Sequence, residues 1–254
     1  AGAEISEASL WRMVERHGSD LALRQALVRR PHLPLDVRHA VALTPADRLS
    51  LSISTSTGLP PGQVDRAISD VRDKATVAMA VAAAPADVQR LVSYLRRTGQ
   101  LTPALMLRAL LSRSMGFVEA AFAELAQVPP ARVAGLLHDR RGAGLPALLG
   151  QVGLPDSLKP AFAAAISAWR DSPSGETAPG QVRLSRRLVE RVLSACAELH
   201  DTGKLMALLR RYEAEAAREA ARDTLGALAD ESPLALEYKP ALIGFDGGRL
   251  QDAA

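Results

Sequence analysis

Apolar side chains recur along this chain at steps of three and four residues, and Pro and Gly cut the pattern into short segments. Between Pro85 and Thr98, Val88, Leu91, Val92 and Leu95 fall on one face of a helix. Residues 104–115 repeat the spacing with Leu107, Leu110 and Leu111. Thr44-Pro45 and Thr102-Pro103 each read as an N-cap followed by Pro at the first helical position. Gly18, Gly58 and Gly99 stand where helices should stop. No run alternates as a strand does, and the spacing predicts an all-α fold.

The pattern also repeats. Leu59-Pro60-Pro61-Gly62-Gln63-Val64 recurs 69 positions later as Val128-Pro129-Pro130-Ala131-Arg132-Val133, and the same offset sets Ile68 on Leu137 and Asp70 on Asp139. Upstream, Pro34, Val37, Ala40 and Val41 match Pro103, Met106, Ala109 and Leu110. Downstream, Pro85, Val88 and Val92 match Pro155, Leu158 and Phe162 after one added residue. Two units, roughly 33–98 and 102–169, follow from these matches. A short helical hairpin cannot bury its apolar face alone, so such units stack on one another. The expectation is an α-solenoid over residues 1–170, right-handed, with one concave surface.

Three segments point to a family: Arg29-Arg30-Pro31-His32-Leu33-Pro34-Leu35-Asp36-Val37-Arg38, Phe117-Val118-Glu119-Ala120-Ala121-Phe122-Ala123-Glu124-Leu125-Ala126 and Leu136-Leu137-His138-Asp139-Arg140-Arg141-Gly142-Ala143-Gly144-Leu145. Together they resemble an alphaproteobacterial domain-of-unknown-function family with HEAT-like helical repeats, over residues 20–225. The resemblance implies a HEAT-like solenoid and a bacterial, cytoplasmic setting. Its motifs are packing motifs, and it implies no catalytic residues.

Residues 171–180, polar and containing Pro and Gly, read as a linker. Beyond it, Leu184, Leu188, Val192 and Leu199 mark one helix. A second, about 204–229, carries Leu205, Leu208, Leu209, Tyr212 and Ala216. This C-terminal helical hairpin, residues 181–229, is expected to cap the repeats or to pair two copies into a homodimer. Residues 230–254 read as an extended tail with an apolar patch at Leu242, Ile243 and Phe245.

Composition narrows the classes further. Of 254 residues 48% are hydrophobic but only 4% aromatic, so Leu, Val and Ala must build the core. No apolar stretch reaches the roughly 18 residues of a membrane span, no secretory signal is visible, and Ala1 in place of Met reads as a trimmed start. One cysteine, Cys196, allows no internal disulfide and suits a small buried residue. The net charge is +3, and residues 1–170 hold 20 basic side chains against 14 acidic ones. That is weak beside the clustered stripe of a nucleic-acid binder.

Candidate chemistry is sparse. His138-Asp139 and His200-Asp201 resemble metal-binding dyads, but no second histidine lies within reach in sequence, and a helix-end role is simpler. No metal and no cofactor is expected. Arg140-Arg141-Gly142-Ala143-Gly144 opens onto a helix near Leu145, and its backbone and guanidiniums suit an anion. It lacks the Lys and spacing of a P-loop. Arg183, Arg186, Arg187 and Arg191 share one helix face opposite its leucines, a candidate partner-binding surface. Ser50, Ser52, Ser54 and Ser56 alternate without the glycine elbow of a hydrolase. These features predict a cytoplasmic, non-catalytic protein-binding scaffold or regulatory adaptor. The alternatives are a sensor of a phosphate-bearing small molecule or nucleotide at Arg140–Gly144, and duplex nucleic-acid binding on a basic face. An enzyme ranks last.

Overall fold

The computed structural model describes residues 5–43, 61–171, 183–197 and 203–231, with side chains described to residue 225. Among these residues there are helices and no strands. They are α1 (Glu7–His17), α2 (Leu21–Val28), α3 (35–43), α4 (Pro61–Val81), α5 (Pro85–Arg97) and α6 (Pro103–Leu111). There follow α7 (Met115–Ala126), α8 (Pro130–His138), α9 (Leu145–Gln151), α10 (Lys159–Asp171), α11 (Arg186–Cys196) and α12 (Gly203–Glu231). The serine-rich stretch 50–56, the linker after Asp171, His200-Asp201 and the apolar tail patch lie outside the described residues.

Helix boundaries follow the local chemistry. Thr102 caps α6 by accepting the Leu105 N–H at 3.1 Å, with Pro103 at the first turn. Asp20 caps α2 through the Ala22 N–H at 2.8 Å. Gly99, at φ +70°, ends α5 while the Gln100 N–H returns to the Leu95 carbonyl at 2.8 Å. The expected helix over 104–115 is corrected. It stops at Leu111, because Arg113 adopts a left-handed conformation (φ 62°), and a new helix begins at Met115.

The chain divides into two compact units, Ala1–Ala217 and Arg218–Ala254. The second is described through the end of α12, where Thr224 Oγ1 donates to the Ala220 carbonyl at 3.0 Å and Leu225 is exposed. In the first, α6 and α7 form the centre. Every side chain from Leu105 to Leu111 is buried, as are Phe117, Val118, Ala121 and Phe122. Each such aliphatic or aromatic side chain contributes about 1.5–3 kcal/mol by leaving water. Phe162 of α10, Leu188, Val192 and Cys196 of α11, and Leu209 and Tyr212 of α12 join the same core. A smaller cluster, Leu10, Leu27, Leu33, Val37 and Val41, binds α1, α2 and α3 together.

Those three helices meet the rest through Leu35 of α3, which joins the main core, and through polar and aromatic contacts. Trp11 stacks on Tyr94 with ring centroids 5.1 Å apart, and Arg90 pairs with Glu7. His39 Nε2 lies 2.8 Å from Thr76 Oγ1. The Thr76 hydroxyl donates its proton to the Arg72 carbonyl at 2.8 Å, so it accepts from the imidazole. That leaves Nδ1 of His39 unprotonated, buried and without a donor. Burial, with the Arg72 charge added, lowers its pKa to about 4.

One pair of helix starts keeps the 69-residue offset seen in the sequence, α4 and α8, whereas α10 begins at Lys159 and not at Pro155. Pro61 opens α4 and Pro130 opens α8, both at the first turn, while α3 and α6 begin one residue after Pro34 and at Pro103. Where α4 runs unbroken for 21 residues, its counterpart is split into α8 and α9.

Candidate functional site

Two places in the first unit gather side chains beyond core packing, and both depend on α4. The first is a charged cluster between α4, α6 and α12. Arg108, inside the apolar run of α6, is buried and grips Glu215 of α12 bidentately, with Nη1 and Nη2 at 3.0 and 2.8 Å from its two oxygens. Lys74 of α4 reaches the same carboxylate at 3.2 Å, and Arg211 of α12 donates to Asp70 of α4 at 2.8 Å. The Arg108 guanidinium also lies over the Tyr212 ring, 4.6 Å from its centroid, while the Tyr212 hydroxyl donates to the Ala104 carbonyl at 3.2 Å. The two α4–α12 pairs, Asp70–Arg211 and Lys74–Glu215, are each one helical turn further along both helices. The helices therefore run in the same direction there.

Titration behaviour follows from burial and charge. Burial pushes the Asp73 carboxyl up to about 6, with Arg108 opposing and Asp70 adding to the shift. Burial raises Asp70 as well, against the pull of Arg211 and Arg108. For Glu215, burial works upward, but hydrogen bonds and charge from Arg108 and Lys74 hold the carboxyl below its ordinary value. The Tyr212 phenol is raised by burial. The cluster is a clamp in which buried Arg108 and Asp73 sit among the more exposed charges of Asp70, Lys74, Arg211 and Glu215.

The second place is an apolar cleft of about 380 Å³ between α4, α5 and α7. Ala80 and Val81 from the end of α4, Pro85 and Val88 from the start of α5, and Met115 and Phe117 from α7 line it. Gln89, Arg113 and Glu119 supply polar groups. Val81 is 51% exposed, and a Cβ on Gly116 would meet nothing within 4 Å, so the cleft is open to an incoming side chain.

The arginine turn predicted from sequence lies between α8 and α9. Arg140 lines a small polar cleft of about 310 Å³ with Ser167, Arg170 and Asp171, while Arg141 is exposed. Much of the turn's hydrogen bonding is internal. The Arg141 N–H goes to Asp139 Oδ1 at 3.0 Å, the Gly142 N–H to the Asp139 carbonyl at 3.1 Å and the Leu145 N–H to the Gly142 carbonyl at 3.1 Å. Gly142 is left-handed (φ 65°), and Gly144 packs where a Cβ would sit 2.4 Å from Leu136 Cδ2. Arg170 caps α8 by donating to the Leu137 and Leu136 carbonyls at 2.7 and 3.0 Å.

The arginine face of α11 is partly neutralised. Arg186 pairs with Glu190 at 2.7 Å and Arg191 with Asp171 at 3.1 Å, Arg187 is exposed, and Arg183 is half-buried before the helix starts. His138 lies 3.0 Å from Glu119 and packs edge-on against Trp169 at 4.9 Å. Cys196 is buried, as expected. No group of three metal-ligating side chains occurs among the described residues, and no helix among them is long and apolar enough to cross a membrane.

Sequence reading missed the clamp. Arg108 looked like a helix residue among leucines, and its partner Glu215 lies 107 positions away. One signal was available: a charged residue inside the run Leu105–Leu111, with Asp70/Lys74 and Arg211/Glu215 at equal spacing and opposite charge order.

These features define a protein that is all-helical over its described residues. Residues 1–200 match the model of a family described as uncharacterised protein conserved in bacteria (DUF2336), and the chain belongs to that family. No curated protein and no solved structure matches it.

Proposed function

We propose that this protein is a non-catalytic binding module, a scaffold or regulatory adaptor, that docks a partner protein in the cleft between its two duplicated units. In this reading the units are HEAT-like repeats, and the protein works in the cytoplasm of alphaproteobacteria. The carrying observation is the open apolar cleft of Val81, Pro85, Val88, Met115 and Phe117, rimmed by Gln89, Arg113 and Glu119. Apolar floors with polar rims seat the anchor side chains of amphipathic helices.

A site-specific photo-crosslinker in place of Gln89, which is exposed, tests this in the native organism. The reading expects one discrete adduct with another protein, lost when Val81→Asp places a charge in the cleft. Adducts only between copies of this chain, or none, would overturn it. The two alternatives have less support. At the arginine turn, three backbone N–H groups are spent internally and Asp171 stands in the same cleft as Arg140. On α11, Glu190 and Asp171 offset two of the arginines a duplex would need.

A further inference from the structure

The three N-terminal helices bury less apolar surface than their sequence offers. Six of the eight residues of α2 are apolar, yet only Leu27 is buried. Leu21 and Val28, seven positions apart on one face, are 62% and 45% exposed, and Ala22 and Ala26 are exposed as well. A helix that is apolar on all sides is ordinarily enclosed by its neighbours. Here the core beneath it is only the small cluster of Leu10, Leu27, Leu33, Val37 and Val41.

Beside that cluster, α1, α2 and the turn into α3 surround an open groove of about 800 Å³. Leu10 and Met13 of α1 with Leu23, Ala26 and Leu27 of α2 give it apolar walls. One end is basic. Arg29 and Arg30 follow α2 directly, and His32 stands just beyond them in a left-handed conformation (φ 57°). Among the described lining residues the one carboxylate is Glu7, and it is paired with Arg90 of α5. The groove thus combines an apolar floor with a cationic end that no neighbouring acid in its lining offsets.

We infer that this groove docks an acidic amphipathic helix of a partner protein. Apolar side chains of the partner at three-four spacing extend the small cluster, and its carboxylates meet Arg29 and Arg30. The concave shape favours a helix over a bilayer, whose flat surface reaches the rim and not the floor. The groove shares no lining residue with the cleft between α4, α5 and α7, so either can fail without the other.

Fluorescence anisotropy of the full chain with a labelled peptide of about four helical turns tests this. The peptide carries Leu at three-four spacing and Glu on its other faces. One control has the same composition in scrambled order, and a second has Lys in place of Glu. The expected result is saturable binding, with both controls weaker by about tenfold or more. Arg29→Glu reverses the charge at the basic end and should lower the affinity by about tenfold. Ala26→Gln, at an exposed position, fills the floor with a neutral side chain and should lower it by about as much while leaving the melting temperature in place. Val81→Asp, in the other cleft, should change nothing. No saturation, a scrambled peptide that binds as tightly, or unchanged affinity in Arg29→Glu or Ala26→Gln would each overturn the assignment. So would binding lost in Val81→Asp, or binding of phosphatidylglycerol vesicles in place of the peptide.

Discussion

The helix α4 and its counterpart α8–α9 begin with the same Pro and diverge after the same Asp. In α4, Asp70 is followed by Arg72, Asp73 and Lys74, the helix continues, and three of its charged residues face α6 and α12. In the counterpart, Asp139 turns its carboxylate onto the Arg141 N–H, Gly142 stands where Asp73 would, and the helix breaks. Arg170 then closes the broken end by capping α8. One copy uses this stretch to hold another helix; the other uses it to change direction. The break falls at Asp139, whose extended backbone (φ −64°, ψ 112°) ends α8, and Gly142 with its positive φ then completes the corner.

The comparison can be broken most severely from the clamp side. Arg108→Ala leaves Glu215 and its surroundings without their main cation, and should cost about 3–5 kcal/mol in chemical denaturation. The double variant Arg108→Met with Glu215→Leu should recover most of that loss, since it removes both buried charges together. A double variant as unstable as the single one would show that the clamp acts by packing rather than by charge.

Next in size is a pH effect. Asp73 is raised from 3.8 to about 6, so its contribution favours the folded state in acid and is lost as pH rises through 6. His39 is lowered from 6.5 to about 4, so its contribution is complete above 6.5 and is lost as pH falls toward 4. Each is worth about 3 kcal/mol at one pKa unit per 1.4 kcal/mol, with opposite sign. Between pH 4 and 6.5 these two groups nearly cancel in the native protein. Asp73→Asn removes one side of the balance and should leave stability falling toward acid by about 3 kcal/mol, measured by denaturation across that range.

The corner side yields the smaller effects. Gly142→Ala forces a left-handed side chain and presses its Cβ to 3.2 Å from Arg170 Nη1, and should cost about 1–2 kcal/mol. Gly135→Ala, in the body of α8 with nothing within 4 Å of the new Cβ, should instead stabilise by about 0.5–1 kcal/mol. Thermal melts of the two variants therefore move in opposite directions, and shifts of the same sign would refute the assignment of Gly142 as the corner.

Local signals made much of the helical layout legible. Pro103, Pro130 and Gly99 mark real ends because a missing N–H or a left-handed residue acts within one turn. The turn at Gly142–Gly144 and the helix opening near Leu145 were equally local. Ser112 and Arg113 carry no such mark, so the end of α6 was placed too late. The clamp and the Trp11–Tyr94 stack were not legible for a different reason. They join Asp70 to Arg211, Arg108 to Glu215 and Trp11 to Tyr94, and spacing along a chain says nothing about which distant faces meet. Likewise, a lone His39 gives no sign of burial until Thr76 is seen beside it.

The alternating order of the α4–α12 pairs also acts as an alignment key. Slide α12 by one turn, and Asp70 faces Glu215, or Lys74 faces Arg211: like charges oppose across the seam. Reverse α12, and Asp70 again faces Glu215 while Lys74 faces Arg211. Among these placements, only the one observed sets opposite charges together on both rungs. The ion pairs thus do for a helix docked late in the chain what a notch does for a shaft, rejecting phase errors that leucines alone would tolerate.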